Sequence, residues 1–470
     1  MTKNLTTGSP MKLILCFTLP TLFGMLFQQM YNMVDTMLVG KLLGAQALAA
    51  VGATGSIHFL VIGFCAGVCG GFAIPVAQQM GAGNHSQMRR YVANAAYLSA
   101  IFAVVMTAAT GLLCGRILTA MDTPADIYED SYRYIFIIFM GIPTTYLYNL
   151  LSGIIRSLGD SRTPVYFLAM SSVLNIGLDL ALILHTDLGA AGAAVATVVS
   201  QGVSGLACLG YMYLKFPILR LSREERRPDA AAGWSLVVIG VPMGLQYSIT
   251  AIGSVILQAA VNGLGSLYVA AVAAGAKLLQ ILACPFDAMG TAMATYCGQN
   301  AGAGKLDRLG QGVRDCSLLG LVYAIAAMAA MTILAPACAM WFIDPQEEEL
   351  ELLVALVSRY VRVSTVFFFF LALVNIVRFS IQGMGFCAFA ILAGVLEMLA
   401  RLTAGQYFVP ILGFEAACFA SPSAWICADL FLVPACVFCV HRLRRYQAMP
   451  EGGPERRHHL PRLRVRHSHA

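Results

Sequence analysis

Apolar residues occupy this chain in twelve long blocks, set apart by short polar connectors. The blocks cover residues 12–40, 46–78, 91–118, 132–157, 163–186, 189–215, 234–262, 267–300, 312–342, 352–383, 386–412 and 414–440. Each reaches the ~20 residues that an α-helix needs to cross the hydrocarbon of a bilayer. The pattern therefore predicts an all-α integral membrane protein of twelve transmembrane helices. Met1 to Pro10 is polar and the block after it is long enough to stay in the membrane, so nothing here resembles a cleaved signal peptide. The first helix is expected to be its own insertion signal.

Composition agrees with the pattern. Of the 470 residues 59% are hydrophobic and 11% charged, with a mean hydropathy of +0.74; soluble domains carry about 25% charge. The charges that remain sort by connector. One alternate set holds Arg89 and Arg90, Arg156 and Arg162, Lys215, Arg220, Arg223, Arg226 and Arg227, Lys305 and Arg308, and the Arg-rich stretch from Arg442. The other holds Asp122, Asp126, Glu129 and Asp130, then Asp344, Glu347, Glu348, Glu349 and Glu351, with few basic residues such as Lys41 and Arg116. By the positive-inside rule the first set and both termini are expected to be cytoplasmic. The net charge of +6 then follows from topology and calls for no nucleic-acid partner.

The blocks divide into two halves. The longest internal polar segment, Leu219 to Gly233, falls midway, and the halves around it repeat: Gly44, Val51 and Gly81-Ala82-Gly83 recur 221 positions later as Gly265, Val272 and Gly302-Ala303-Gly304. A constant offset of this kind marks the parallel repeats of many transporters. The expected organisation is a six-helix lobe over residues 1–218, a cytoplasmic linker over 219–233, a second six-helix lobe over 234–440, and a basic tail over 441–470. The tail carries Arg456-Arg457-His458-His459 with Arg462, Arg464 and Arg466 and no apolar periodicity, so it is expected to be disordered and free to rest on anionic lipid headgroups. The fourteen Cys are scattered through apolar blocks, and pairs such as Cys65/Cys69 and Cys436/Cys439 lack a second ligand pair, which reads as small apolar residues in helices.

Against this background the carboxylates inside apolar blocks stand out, because an acid at membrane depth is costly and is by default a functional candidate. Asp35 lies near the outer end of the first block and Asp179 near that of the fifth, each roughly 8 to 10 Å inside the same face at 1.5 Å per residue. Asn175 and Asp179 stand at i and i+4, hence on one helix face. Thr197 falls at about the depth of Asp179 on the sixth block, and Tyr31 and Gln28 precede Asp35 by one and nearly two turns. If these faces converge, two carboxylates, an amide carbonyl and a hydroxyl meet. Such hard oxygen ligands suit an alkali cation or a shared proton rather than a soft metal. The bland alternative is that each acid bonds a neighbouring helix or faces water.

The second half does not copy this arrangement, since the 221 offset sets Ile256 opposite Asp35. Its embedded charges are Glu397 and Arg401, at i and i+4, which read either as a structural ion pair or as a substrate or coupling site. Asp287 is a further candidate without an identifiable partner. The Phe367 to Phe370 run and the 22 Met read mostly as lipid-facing or core, with some suited to lining a cavity for flat apolar cations.

Four stretches in order make the chain resemble the multidrug and toxic compound extrusion (MATE) family, in particular its DinF-like bacterial branch. They are Tyr31-Asn32-Met33-Val34-Asp35 with Val39-Gly40, Arg156-Ser157-Leu158-Gly159-Asp160 with Pro164, Asn175 through Asp179, and Gln299-Asn300-Ala301-Gly302-Ala303-Gly304. The likeness runs from about residue 12 to 440 in a duplicated twelve-helix chain. The resemblance implies an outward-pumping antiporter of two pseudo-symmetric six-helix bundles, monomeric, in a bacterial cytoplasmic membrane. It also implies that Asp35, Asn175, Asp179 and Thr197 form the cation site, and that Gln28, Tyr31 and Asn149 line the cavity of the same lobe. Acids that other branches carry in helices seven and ten have no counterpart near Gln258 or Asn375, which leaves Glu397 as the one substitute.

The sequence thus reads as a secondary exporter of cationic or amphipathic small molecules, driven by Na⁺ or H⁺, with no other cofactor and no enzymatic activity. It carries no nucleotide-binding motif, and no His-Glu-x-x-His, Gly-x-Ser-x-Gly or paired Gly-x-Gly-Asp acids. The nearest rival is a flippase for lipid-linked saccharides. That would favour a cationic cavity for a pyrophosphate, whereas the deep charges of the first half are acidic. A receptor or scaffold would not need paired acids at one depth.

Overall fold

The computed structural model describes residues 4–449, apart from 122, 187 and 344–348. Every regular element among the described residues is helical. Ten helices are individually long and apolar enough to cross a membrane, and two bent pairs bring the number to twelve. Most helix ends fall within a few residues of the expected blocks.

The first half comprises α1 (Pro10–Leu43), α2 (Ala45–Gly81), α3 (His85–Ala120), the bent pair α4 (Tyr128–Met140) and α5 (Ile142–Ser157), α6 (Thr163–His185) and α7 (Ala190–Lys215). The second comprises α8 (Ala230–Asn262), α9 (Ser266–Gly302), α10 (Leu306–Ala339), the bent pair α11 (Leu350–Val366) and α12 (Phe368–Gly383), α13 (Cys387–Thr403), α14 (Val409–Leu412) and α15 (Phe414–Ala448).

The repeat is visible in the backbone. Helices α2 and α9 each have 37 residues and lie 221 positions apart at both ends. Gly44 and Gly265, which precede them, have φ of 88° and 109°, and Gly83 and Gly304, which follow, have φ of 70° and 69°. These are conformations that residues with a Cβ rarely adopt, so the same glycines turn the chain at the same places in both halves.

Local chemistry explains where helices break. The 45° bend between α4 and α5 falls at Gly141, just before Pro143, which has no amide hydrogen to continue the ladder. A Cβ on Gly141 would lie 2.2 Å from Val198 of α7, so glycine is also what lets α7 approach. The equivalent 52° bend at Phe367 has neither glycine nor proline. The expected helix over 386–412 is present as one span, Cys387–Leu412, with a single widened π-turn at Ala404–Phe408, ahead of Pro410.

By contacts the chain gathers into two compact units. One is Phe23–Ser248; the other joins Leu5–Leu22 to the described residues from Ile249 to Met449. The boundary therefore cuts α1 and α8 rather than falling in the expected linker at 219–233. The reason is burial: Leu5, Ile14 and Phe17 pack with Phe286 and Met293 in a core of the second unit, whereas Ala232 and Leu236 belong to the core of the first. Residues 219–233 are themselves tied to the first unit. Glu225 accepts from Arg89 Nε and Nη2, both at 2.8 Å, and from Ser86 Oγ at 2.9 Å. Tyr97 Oη donates to the Arg226 carbonyl. At the other end, α15 continues to Ala448, so 441–448 is helix rather than tail; residues 450–470, with the expected tail chemistry, lie outside the described residues.

Candidate functional site

Two helix pairs in the first unit decide where the embedded acids go. Helix α1 meets α6 at Gly24, where a Cβ would lie 3.0 Å from Val165 Cγ2 and 3.6 Å from Leu168. Asp35 is eleven residues beyond Gly24 and Asp179 eleven beyond Leu168, so at 1.5 Å per residue both acids sit roughly 16 Å further along the two helices. Helices α6 and α7 run antiparallel, stitched by a polar seam: Ser204 Oγ donates to the Phe167 carbonyl at 3.1 Å, Ser171 Oγ to the Ser200 carbonyl at 2.9 Å, and Asn175 Nδ2 to Thr197 Oγ1 at 3.4 Å. One turn on, the α7 residues in the run Ala190 to Ala194 carry no side-chain donor. Asp179 is left without a partner from that side.

It meets Asp35 instead. Asp179 is fully buried and Asp35 half-buried, and their carboxyl groups are close enough that one proton between them makes a hydrogen bond. Without it both are acceptors. Asp35 Oδ1, both oxygens of Asp179 and Asn175 Oδ1 are buried with no donor among the described residues. Four stranded acceptor oxygens, three of them from acids, are costly unless a positive charge completes them. A proton or a hard monovalent cation is the chemistry that fits such a donor set.

The predicted residues are thus brought together unequally. Asp35 and Asp179 face each other, and Asn175 holds Thr197. Tyr31 lies in the field of both acids and beside Gln28, which is exposed. Asn149, half-buried on α5, donates its amide to the Thr145 carbonyl of its own helix at 2.9 Å. Sequence reasoning missed Tyr134. This buried α4 phenol interacts electrostatically with Asp35, Asp179 and Tyr31, and one aromatic among many in an apolar block gives no signal.

In the second unit Glu397 and Arg401 do form an ion pair, but not an exclusive one. Glu397 lies between two guanidiniums: Arg378 of α12 makes the shorter contact, and Arg401 Nη2 is 3.5 Å away. All three are buried. Arg378 also supplies Asp287 with the charge partner the sequence did not reveal. The signal for it was present, since Arg378 is an embedded charge in the apolar block 352–383. Among the described residues no three His, Cys, Asp or Glu side chains gather as a metal centre requires.

Comparison with known proteins places the chain, though not its site, in a family. The MatE family model matches residues 20–181 and 242–403, one copy in each half. A probable multidrug resistance protein, YpnP of Bacillus subtilis, is 31% identical over 306 residues, 65% of this chain and 68% of that one. The FAD transporter of Shewanella oneidensis is 26% identical over 71% of this chain and 75% of its own length. Among solved structures, a MATE protein in complex with MaL6 superposes with a TM-score of 0.88, covering 95% of this chain and all of that one at 21% identity, which is a likeness of fold. An outward-facing multidrug resistance MATE transporter follows at 0.87, over 94% and 98% of the two chains.

Proposed function

The chain belongs to the MatE family of multi-pass membrane transporters, and on that premise we propose that it exports cationic or amphipathic small molecules, such as drugs and toxic metabolites, in exchange for Na⁺ or H⁺ entering at Asp35 and Asp179. Four buried acceptor oxygens without a donor, on Asp35, Asp179 and Asn175, carry this reading. Two facing carboxylates repel when both are ionised, and one positive charge relieves them. If ion and substrate relieve them in turn, one leaves as the other binds, and the two flows are coupled.

Na⁺ is the favoured ion. A pure proton carrier gains little from the neutral oxygens of Asn175 and Thr197, whereas Na⁺ must replace its lost hydration with several oxygens. A proton competes for the same carboxylates, so Na⁺ is displaced as pH falls. The protein acts as a monomer among the lipids of the bacterial cytoplasmic membrane, with both termini on the basic, cytoplasmic side.

The deciding experiment imposes Na⁺ and pH gradients separately on proteoliposomes and follows a cationic dye. Efflux should respond to Na⁺ and weaken in acid. Efflux that follows the pH gradient alone rejects Na⁺ and leaves proton antiport. A parallel arm with an anionic flavin nucleotide tests substrate charge: transport of the flavin but not the dye overturns the cationic class.

A further inference from the structure

The second unit contains an acid with no role so far. Asp429 of α15 is 5% exposed, and neither of its carboxylate oxygens has a hydrogen-bond donor among the described residues. Its electrostatic partner is Arg378, whose guanidinium already contacts Glu397. Arg378 therefore stands in the middle of three acids: Glu397 in contact, and Asp429 and Asp287 within its field. Arg401 adds a second positive charge beside Glu397.

Counting charges decides what this cluster needs. Three carboxylates against two guanidiniums leave one negative charge in excess, in a setting where uncompensated charge is expensive. Glu397 has two cations and stays ionised. Asp287 is exposed and keeps access to outside charge. Asp429 is buried and lacks a donor, so it is the acid that loses least by carrying a proton. Among the described residues no other charge than Arg378 acts on it. Tyr360 of α11 lies beside Arg401. The ion pairs Arg444–Asp307 and Arg359–Glu415 sit at the two ends of α15, each roughly 20 Å along the helix from Asp429 at 1.5 Å per residue.

We infer that Asp429 is a second proton-binding carboxylate, and that it exchanges its proton for a monovalent organic cation received at Asp287, the two being coupled through Arg378. With a proton on Asp429 the cluster is neutral; with a cation beside Asp287 it is neutral only once that proton has left. This rests on the chain being a transporter, but not on the site at Asp35 and Asp179.

The test uses the full chain in detergent with Asp35→Asn and Asp179→Asn together, which silences the first unit. Adding tetraphenylphosphonium in weak buffer should release roughly one proton per cation bound, as the charge count requires. The further change Asp429→Asn, which mimics the protonated acid, should abolish release, and Asp287→Asn should abolish cation-triggered release. Binding without release, or release that survives Asp429→Asn, overturns the inference. Infrared spectra of the double variant supply a measurement that does not depend on folding of further variants. A protonated-carboxyl band at neutral pH that disappears on adding the cation supports the exchange, and its absence before addition overturns it. Failure of the first-unit reading shows separately, as undiminished export by the double variant.

Discussion

The two halves share one backbone plan and treat embedded charge in opposite ways. Helices α2 and α9 match in length and in the left-handed glycines that bracket them, yet the first half sets acid against acid while the second sets an acid between two arginines. The duplication retained some constraints and released others. Glycine at a positive φ is demanded by the turn itself, so it recurs in both copies. A charged side chain is demanded only by its partners on other helices, so each half could settle on its own set. Acids without a donor, Asp35 and Asp179 in the first half and Asp429 in the second, suit ion exchange, whereas Glu397 between its arginines suits holding helices together.

That contrast predicts opposite responses to neutralisation. The largest effect should come from Asp35→Asn or Asp179→Asn, each of which should reduce export to the passive leak while the protein still inserts and unfolds at its normal temperature. Removing one of two facing acids relieves repulsion and strands nothing. Wild-type efflux from either variant would sink the coupling role.

Next in size is Glu397→Gln, which removes the carboxylate that two buried guanidiniums share and should cost about 3 to 5 kcal/mol of stability, read by denaturation in detergent. Adding Arg401→Gln should restore only part of it, because Arg378 has still lost the carboxylate it contacts; adding Arg378→Gln as well should restore more. Full stability of Glu397→Gln with loss of transport would mean that Glu397 itself serves coupling rather than holding α12 to α13.

A smaller effect separates the ion from the proton. Asn175→Ala and Thr197→Ala should each weaken apparent Na⁺ affinity about tenfold, equivalent to about 1.4 kcal/mol, with little change in response to a pH gradient. Equal losses in both would mean that the neutral oxygens serve the fold.

The smallest concerns the cytoplasmic clasp. Arg89 beside Glu225 pulls its carboxyl from the usual 4.5 down to about 2. A depressed acid contributes stability above its ordinary range, and that contribution is lost as pH falls from about 4.5 through about 2. Arg89→Ala should therefore move acid unfolding to higher pH while costing about 1 kcal/mol near neutrality, a figure lowered by the solvent around the part-exposed arginine. An unchanged acid limb would show that the segment around Glu225 is held by its other bonds.

Much of this protein was readable from the chain alone. The length of each apolar block set the number of spans, because a helix must satisfy its own backbone before it enters lipid. The 221-residue offset revealed the duplication, and the rarity of acids in apolar blocks singled out Asp35, Asp179, Glu397 and Asp287. The i and i+4 spacing put Asn175 on the face of Asp179. Tertiary structure decided the partners. That Asp35 meets Asp179 follows from the close approach at Gly24, that Asn175 meets Thr197 follows from the α6–α7 seam, and that Glu397 is shared with Arg378 follows from how α12 lies against α13. It also decided that α1 and α8 each serve two units. A helix's own periodicity states which residues share its face; which face meets which neighbour depends on the rotation and crossing of two helices, and that comes only from packing their side chains together.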